Sequence, residues 1–476
     1  MESALFDVPN KILEDIYMTT TAHMLNIVLV TLRYPYGKSQ TFMNGSLCSA
    51  ASVLVAAGHK VEVIDLNLDD EDQLQDKFAA TDFIGVSLVG APFIPSSLEF
   101  IDRMKRLVPK TPILLGGQVI ERLSEREFAA IYGERAVQVK NKTDLAKALG
   151  CSPSDLPEWS EAPMLPVWQT MGDKRLRQYL STEFTLVISQ GCVFQCVFCA
   201  ARKAMKEQHV HISIFESDMH YLAAKAFEFG ISELSCYTSS LDFFQNPFTV
   251  KQHLEILAKI TRDTGIRFKV RCLSCVSSFL RAERAVPGLE TILRNAGLYC
   301  IGFGVDGTEE IWKVQKKTHN AEDDVPMCLA TCHKMGIRTE ILIVMGYQED
   351  NLATLSKLFL NTLRYVFTWP KGVDIRPYLN KEVVPGNEGW NRGNGRIAKL
   401  LANPSLFYNL DFAACASRLT HPRVGHRHMV NVFYLAIIAV FKLIGRCPNN
   451  PLFPQGGKGL GPTLAKLANR LMPFDR

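Results

Sequence analysis

Three cysteines, Cys192, Cys196 and Cys199, fall within eight residues of the stretch "GCVFQCVFCAARKAM" (191–205), spaced C-x3-C-x2-C. Thiols gathered so closely in one loop read first as metal ligands or catalytic groups. A structural zinc takes four ligands, and the nearest candidates for a fourth are His209 and His211 in "EQHVHIS". The alternative is a cubic [4Fe-4S] cluster on three cysteines, whose fourth iron keeps an open coordination position for a substrate. That spacing lets one tight loop wrap a cluster, with the intervening backbone N–H groups turned to its sulfides. Scattered free cysteines are the third reading. A second pair, Cys272 and Cys275 in "RCLSC", lies three residues apart, so on a strand the two point to opposite faces; core packing is expected there.

The chain has 476 residues and 13 cysteines, an odd number. Cys48, Cys236, Cys300 and Cys328 sit singly in apolar runs, as reduced buried thiols do. Clustered cysteines in such a chain suit metal chemistry better than disulfides. The opening "MESALFDVPNKILEDIYM" mixes acids into what a signal peptide would need as an apolar core, so a reducing, cytoplasmic location is expected. Hydrophobic residues make up 47% and charged residues 21%, and the net charge of +5 is too mild for a nucleic-acid or anionic-membrane binder. The apolar run "MVNVFYLAIIAVFKLIG" (429–445) is shorter than the roughly 20 residues of a spanning helix and carries Lys442. A buried helix is expected; a helix lying on a membrane, or lining a greasy substrate site, is the alternative.

Elements must position the cysteines. Residues 26–32, 61–66, 83–90 and 112–117 read as buried parallel strands, with helices between them. That alternation predicts a doubly wound α/β sheet over residues 25–150, after an N-terminal arm at 1–24, with its ligand beyond the strands' carboxyl ends. Residues 151–180, with "CSPSDLPEWSEAPMLPVW", have little periodicity and read as a linker. From 181 to 380 a grammar repeats: helix end, Gly, Ile or Leu, strand. Gly230, Gly265, Gly297 and Gly336 mark it, 35, 32 and 39 residues apart. Each interval suits one β/α unit of about 30 residues. With "FTLVIS" before and "GVDIRPY" after, six parallel strands are expected to curl into a partial (β/α)6 barrel, where chemistry sits at the strands' C-terminal ends. The three cysteines follow the first of these strands. Residues 381–476 read as a mostly helical C-terminal region.

An aromatic residue, Phe198, directly precedes the last cysteine. With the strand context and the repeats, the C-x3-C-x2-C loop resembles that of the radical S-adenosylmethionine (SAM) superfamily. The resemblance implies a [4Fe-4S] cluster on Cys192, Cys196 and Cys199, with SAM on the open iron. It implies cleavage of SAM to a 5'-deoxyadenosyl radical that takes a hydrogen atom from an unactivated carbon, the cofactor supplying the hard chemistry. It would place Phe198 near the adenine, Ser239, Ser240 and Asp242 of "CYTSSLDFF" near the SAM amino group, and Asp306 of "IGFGVDG" at the ribose. Met345 and Gly346 of "ILIVMGYQEDN" would pass under the adenine. An ordinary polar loop is the alternative for "CYTSSLDFF". The electron donor would be a flavodoxin or ferredoxin.

The first α/β region, with "AAGHKVEVIDL", "GVSLVG" and "ILLGGQ", is similar to the cobalamin-binding domain fused to many radical SAM enzymes. That implies a corrin against Ser87, Gly90, Gly116 and Gly117, with "TLRYPYG" (31–37) at its lower face. No D-x-H-x-x-G motif offers a histidine to cobalt, and "GGQVIER" and "VKNKTDLAKAL" depart from the usual loops. The two resemblances together imply a cobalamin-dependent radical SAM enzyme that C-methylates a small substrate, and the apolar run 429–445 is a hint that this substrate is lipophilic. Cyclisation, rearrangement or desaturation on the same architecture is the second reading, and a non-catalytic iron–sulfur or zinc protein the third.

Overall fold

The β-branched and leucine-rich runs become the strands of two parallel sheets. The computed structural model describes residues 24–34, 42–69, 75–201, 207–380, 384–392, 394–409, 416, 418 and 420–447. The N-terminal arm and residues 448–476 lie outside them.

The first sheet contains β1 (Asn26–Thr31), β2 (Lys60–Asp65), β3 (Phe83–Ser87), β4 (Ile113–Gly116) and β5 (Val137–Gln138). Its order is β2-β1-β3-β4-β5, all parallel. Chain order reverses between β1 and β3, which opens a crevice at their carboxyl ends. Alternate residues of β1 serve two cores. Ile27 and Leu29 join a core shared with the second sheet, while Val28 and Val30 join the sheet's own. The sequence reading found four of these strands and not β5, whose two residues are too short for any period.

Residues 151–180 are more ordered than a linker. They form 3-10 turns at Pro153–Asp155 and Trp159–Glu161, then helices Leu165–Met171 and Asp173–Leu180. Trp168, Met171, Leu176 and Tyr179 enter the shared core. Tyr179 donates to the Asp65 carboxylate at 2.6 Å, and Asp218 accepts from the backbone of Met164 and Leu165 at 3.0 Å each. Proline and tryptophan punctuation hid two short helices of about two turns each.

The second sheet begins with β6 (Glu183–Leu186). An antiparallel hairpin follows, β7 (Ser189–Gln190) and β8 (Gln208–His209), then β9 (Glu233–Thr238), β10 (Arg267–Ser274), β11 (Leu298–Gly304), β12 (Arg338–Met345) and β13 (Val373–Leu379). The order β13-β12-β11-β10-β9-β6 is fully parallel and sequential, and its two edges do not pair: the expected six-stranded partial barrel. Gly230, Gly265, Gly297 and Gly336 all take φ between 72 and 75°, the left-handed turn that ends each helix before its strand. At Gly297 a Cβ would sit 1.8 Å from the Phe268 carbonyl oxygen, so no other residue fits.

Strand parity divides the barrel. Phe184, Leu186, Val270, Cys272, Ile341, Ile343 and Ile375 face the helices and are buried. Their neighbours Glu183, Arg271, Glu340 and Arg376 face the lumen. Arg271 binds Glu183 bidentately (2.9 and 2.7 Å), Arg376 binds Glu340 (2.6 Å), and Arg271 reaches Glu340 at 3.5 Å. The lumen therefore carries charge.

The C-terminal region divides between the two sheets. Helices Glu388–Arg392 and Asn394–Ala402 and the 3-10 turn Pro404–Asn409 send Trp390, Leu400 and Phe407 into the first sheet's core. Trp390 Nε1 donates to Glu127 Oε1 at 2.8 Å. The apolar run forms the helix Val424–Leu443 beside β13. It buries Val430, Tyr434, Ile437 and Phe441, and leaves Val432 and Leu443 exposed. By length and composition alone it could cross a membrane.

Candidate functional site

The cysteine loop leaves the barrel at the C-terminal end of β6. Gly191, at φ 92°, turns the chain directly before Cys192. Three separate segments then grip the loop. The Gln245 Oε1 accepts from Val193 N (2.9 Å), and the Gln315 carbonyl accepts from Val197 N (2.9 Å). Glu388 N donates to the Val197 carbonyl (3.3 Å), and Phe194 stacks on His319 with ring centroids 3.7 Å apart. Within the loop, Cys199 N donates to the Cys196 carbonyl at 3.2 Å.

Cys196 is buried, and Cys192 and Cys199 are half-buried. Burial, together with the repulsion between neighbouring sulfurs, pushes the Cys192 and Cys196 thiols up to about 11, and burial with the nearby Asp306 charge raises Cys199. Three desolvated thiols in mutual electrostatic reach become thiolates when a cationic centre binds and releases their protons. Among the described residues, no three His, Cys, Asp or Glu side chains converge tightly enough for a single metal ion. His209 Nε2 lies 3.2 Å from Glu207, and His211 Nδ1 bonds Ser213 Oγ at 2.8 Å. Neither is drawn to the cysteines as a zinc ligand would be. Three thiols on one loop fixed from several sides are a donor set that fits an iron–sulfur cluster.

The structure distributes the other candidate residues unevenly. Phe198 is at the site, edge-on to Tyr347 (5.6 Å) and 5.9 Å from Lys317 Nζ. Asp242 is fully engaged. It accepts from Ser274 Oγ (2.7 Å), Cys275 N (2.9 Å) and Ser278 Oγ (2.6 Å), and it ties the β9 loop to the end of β10. Ser240 is buried against Ser189 (3.0 Å). Ser239 is half-buried and faces a cleft toward the first sheet. Asp306 is buried in an ion pair with Lys317, Oδ2 to Nζ 2.6 Å. The Met345 side chain lies in the core behind the sheet. Gly346, at φ 92°, donates to Asp350 (2.7 Å) and accepts from His421 (2.6 Å).

Ser87, Gly90, Gly116 and Gly117 gather at the carboxyl ends of β3 and β4. A cavity of about 170 Å³ opens at the switch point, lined by Thr31, Leu32, Tyr34, Asn44, Gly45, Ser46, Ser87, Val89 and Phe93. Thr185 and Ser239 of the barrel close its far side. At Gly117 (φ 92°) a Cβ would meet Leu88 backbone and Ser87 Oγ at 2.7–2.8 Å, so the backbone is bare at this strand end. Residues 35–37 of "TLRYPYG" lie outside the described residues.

Sequence reading missed the segment 315–319. Gln315, Lys317 and His319, alternate residues of "QKKTH", each meet the cysteine loop or its neighbours. No motif marks them. It also missed Cys275. Cys272 is buried in the core, whereas Cys275 caps the helix Val276–Ala285. Its thiol lies close enough to Cys192 and Cys196 to sense their charge.

No family model matches the sequence, and no curated protein matches it. Solved structures do match in fold. The radical S-adenosylmethionine methyltransferase TsrM from Kitasatospora setae, with cobalamin and a [4Fe-4S] cluster bound, aligns with TM-score 0.58 and 15% identity, covering 79% of this chain and 75% of that one. The same enzyme with tryptophan substrate and a SAM analogue gives TM-score 0.57 and 16% identity, covering 78% and 76%. The cobalamin-dependent S-adenosylmethionine radical enzyme OxsB, with aqua-cobalamin, gives TM-score 0.56 and 15% identity over 93% of this chain and 64% of that one. The chain thus has the two-sheet architecture of cobalamin-dependent radical SAM enzymes.

Proposed function

We propose that the protein is a cobalamin-dependent radical SAM enzyme that C-methylates an unactivated carbon of a small substrate. The observation that carries this reading is the juxtaposition of three clustered thiols at the mouth of a parallel barrel with a 2-1-3-4-5 sheet whose crevice opens toward the same barrel strands. The fold shared with TsrM and OxsB supports it. When bound, the cluster and SAM supply hydrogen-atom abstraction and cobalamin supplies the methyl group.

The chain's own residues do the rest. Cys192, Cys196 and Cys199 would hold the cluster, and Phe198 with Tyr347 would wall the SAM side. Ser87, Ser239 and the bare backbone at Gly117 would receive a corrin between the sheets. Gly90 and Gly116 would support that surface, and the barrel would exclude water from the reacting carbon. Ser240, Asp242, Met345 and Gly346 act behind this surface, as supports. The charged lumen of Glu183, Arg271, Glu340 and Arg376 favours a polar end on the substrate over a wholly lipid one. A flavodoxin or ferredoxin would deliver the electron, in the cytoplasm.

The test is anaerobic purification with added cobalamin, followed by iron, sulfide and corrin assays and a reaction with methyl-labelled SAM. Four irons and four sulfides per chain, one corrin and labelled product support the reading. Label-free product from corrin-free protein would point to a radical rearrangement or oxidation instead. Zinc without sulfide would remove both.

A further inference from the structure

Lys317 is a lysine with only 4% of its side chain exposed, and its partner Asp306 is nearly as buried. An ion pair in such a place loses the hydration of both charges, and replacing it with packed apolar groups is often neutral or stabilising. Stability therefore does not account for it. The backbone points the same way. Asp306 (φ 53°) and Lys316 (φ 54°) are the two non-glycine residues with positive φ among the described residues; the first belongs to this pair and the second directly precedes Lys317. Strained residues of this kind persist where the surroundings over-determine a geometry, and they concentrate at functional sites.

What surrounds the pair is the cysteine loop. Lys317 Nζ lies 5.9 Å from the Phe198 ring. Gln315 and His319, two residues to either side, hold Val197 and Phe194. Burial alone would strip the proton from Lys317; the adjoining Asp306 carboxylate, 2.6 Å away, is the largest influence holding it cationic.

We propose that the Asp306–Lys317 pair is a positioning dipole that sets the potential at which the cluster accepts its electron, Lys317 raising it and Asp306 lowering it. The proposal rests on the functional reading above. Each electron added to a cluster on three thiolates adds one negative charge, so a fixed cation beside it favours the reduced form and a fixed anion opposes it.

The test is an EPR-monitored redox titration of anaerobic protein without SAM, after iron and sulfide assays, on wild type, Lys317→Met, Lys317→Arg and Asp306→Asn. The expected result is a fall of at least tenfold in the reduced-to-oxidised ratio at fixed potential for Lys317→Met, about 59 mV for one electron. Lys317→Arg should stay near wild type and Asp306→Asn should move the opposite way. Should Lys317→Met fail to fold, the upward shift of Asp306→Asn decides the matter. Cluster-loaded variants with unmoved potentials overturn the dipole and leave the functional reading intact. A wild type without iron and sulfide overturns both.

Discussion

Asp242 offers a sharp test of how the site is built. Its carboxylate accepts from two serine hydroxyls and one backbone amide, Cys275 N, and Gln245, three residues on, grips Val193 beside Cys192. Replacing Asp242 by Ala strands Ser278 Oγ and Cys275 N; Ser274 Oγ keeps the Cys275 carbonyl at 3.1 Å as a partner. Each buried donor left unpaired costs about 1–3 kcal/mol, so the loss should be about 4 kcal/mol. Asn keeps one acceptor oxygen for Ser274 and Cys275, and Ser278 can turn to accept from its amide, so Asp242→Asn should cost about 1 kcal/mol. The sign of the pH dependence follows from the carboxyl. Burial lifts it above its ordinary 3.8, with Ser278, Ser274 and the Cys275 amide pulling the other way. The folded state thus holds the proton more tightly than the unfolded chain. That contribution is complete below 3.8 and is lost as pH rises through the raised value. Hydrogen exchange of the helix Val276–Ala285, with urea denaturation followed by circular dichroism across acid and neutral pH, reads both effects. An Ala variant as stable as the Asn one, or an Asn variant that keeps the wild-type acid slope, would refute the reasoning.

The crevice can be probed at two adjacent glycines. Gly117→Ala puts a Cβ within 2.8 Å of backbone at φ 92° and should abolish corrin copurification, whereas Gly116→Ala, with its nearest neighbour at 3.5 Å, should keep it; absorbance of bound corrin per chain reads both. Gly45→Val would drive a side chain into Val187, 2.7 Å from the Cβ position, and should destabilise the contact between the first sheet's helix and the barrel by about 1–3 kcal/mol in thermal melts. Trp390→Ala should cost about 3–5 kcal/mol and speed amide exchange in the helix Asn394–Ala402, while Trp390→Phe, losing only the Glu127 hydrogen bond beyond some packing, should cost about 1 kcal/mol.

The two sheets were legible because they are repetitive. Gly230, Gly265, Gly297 and Gly336 announce the barrel units, since a left-handed helix end tolerates little else, and buried parallel strands read as unbroken apolar runs. The three cysteines were legible because all three lie on one loop, close together in sequence. What lay hidden was set by tertiary placement. Asp242 reads as a ligand-facing acid and is instead satisfied by three protein donors. Asp306 reads as a free carboxylate, and nothing in "IGFGVDG" reveals the lysine eleven residues later that neutralises it. Cys272 and Cys275 look alike in sequence, yet strand parity sends one into the core and the other to the barrel mouth. Residues 151–180 lack a period because their helices are about two turns long, too short to repeat one.

The tail's divided allegiance has a practical corollary. Shortening the protein to its two sheets would leave wounds in both: an empty socket where Trp390, Leu400 and Phe407 stood, and a bare flank of β13 where Val430 and Phe441 stood. Neither half should therefore survive as a separately expressed piece, and chimaeras that exchange the tail between proteins of this fold must carry compatible surfaces at two distant anchorages at once.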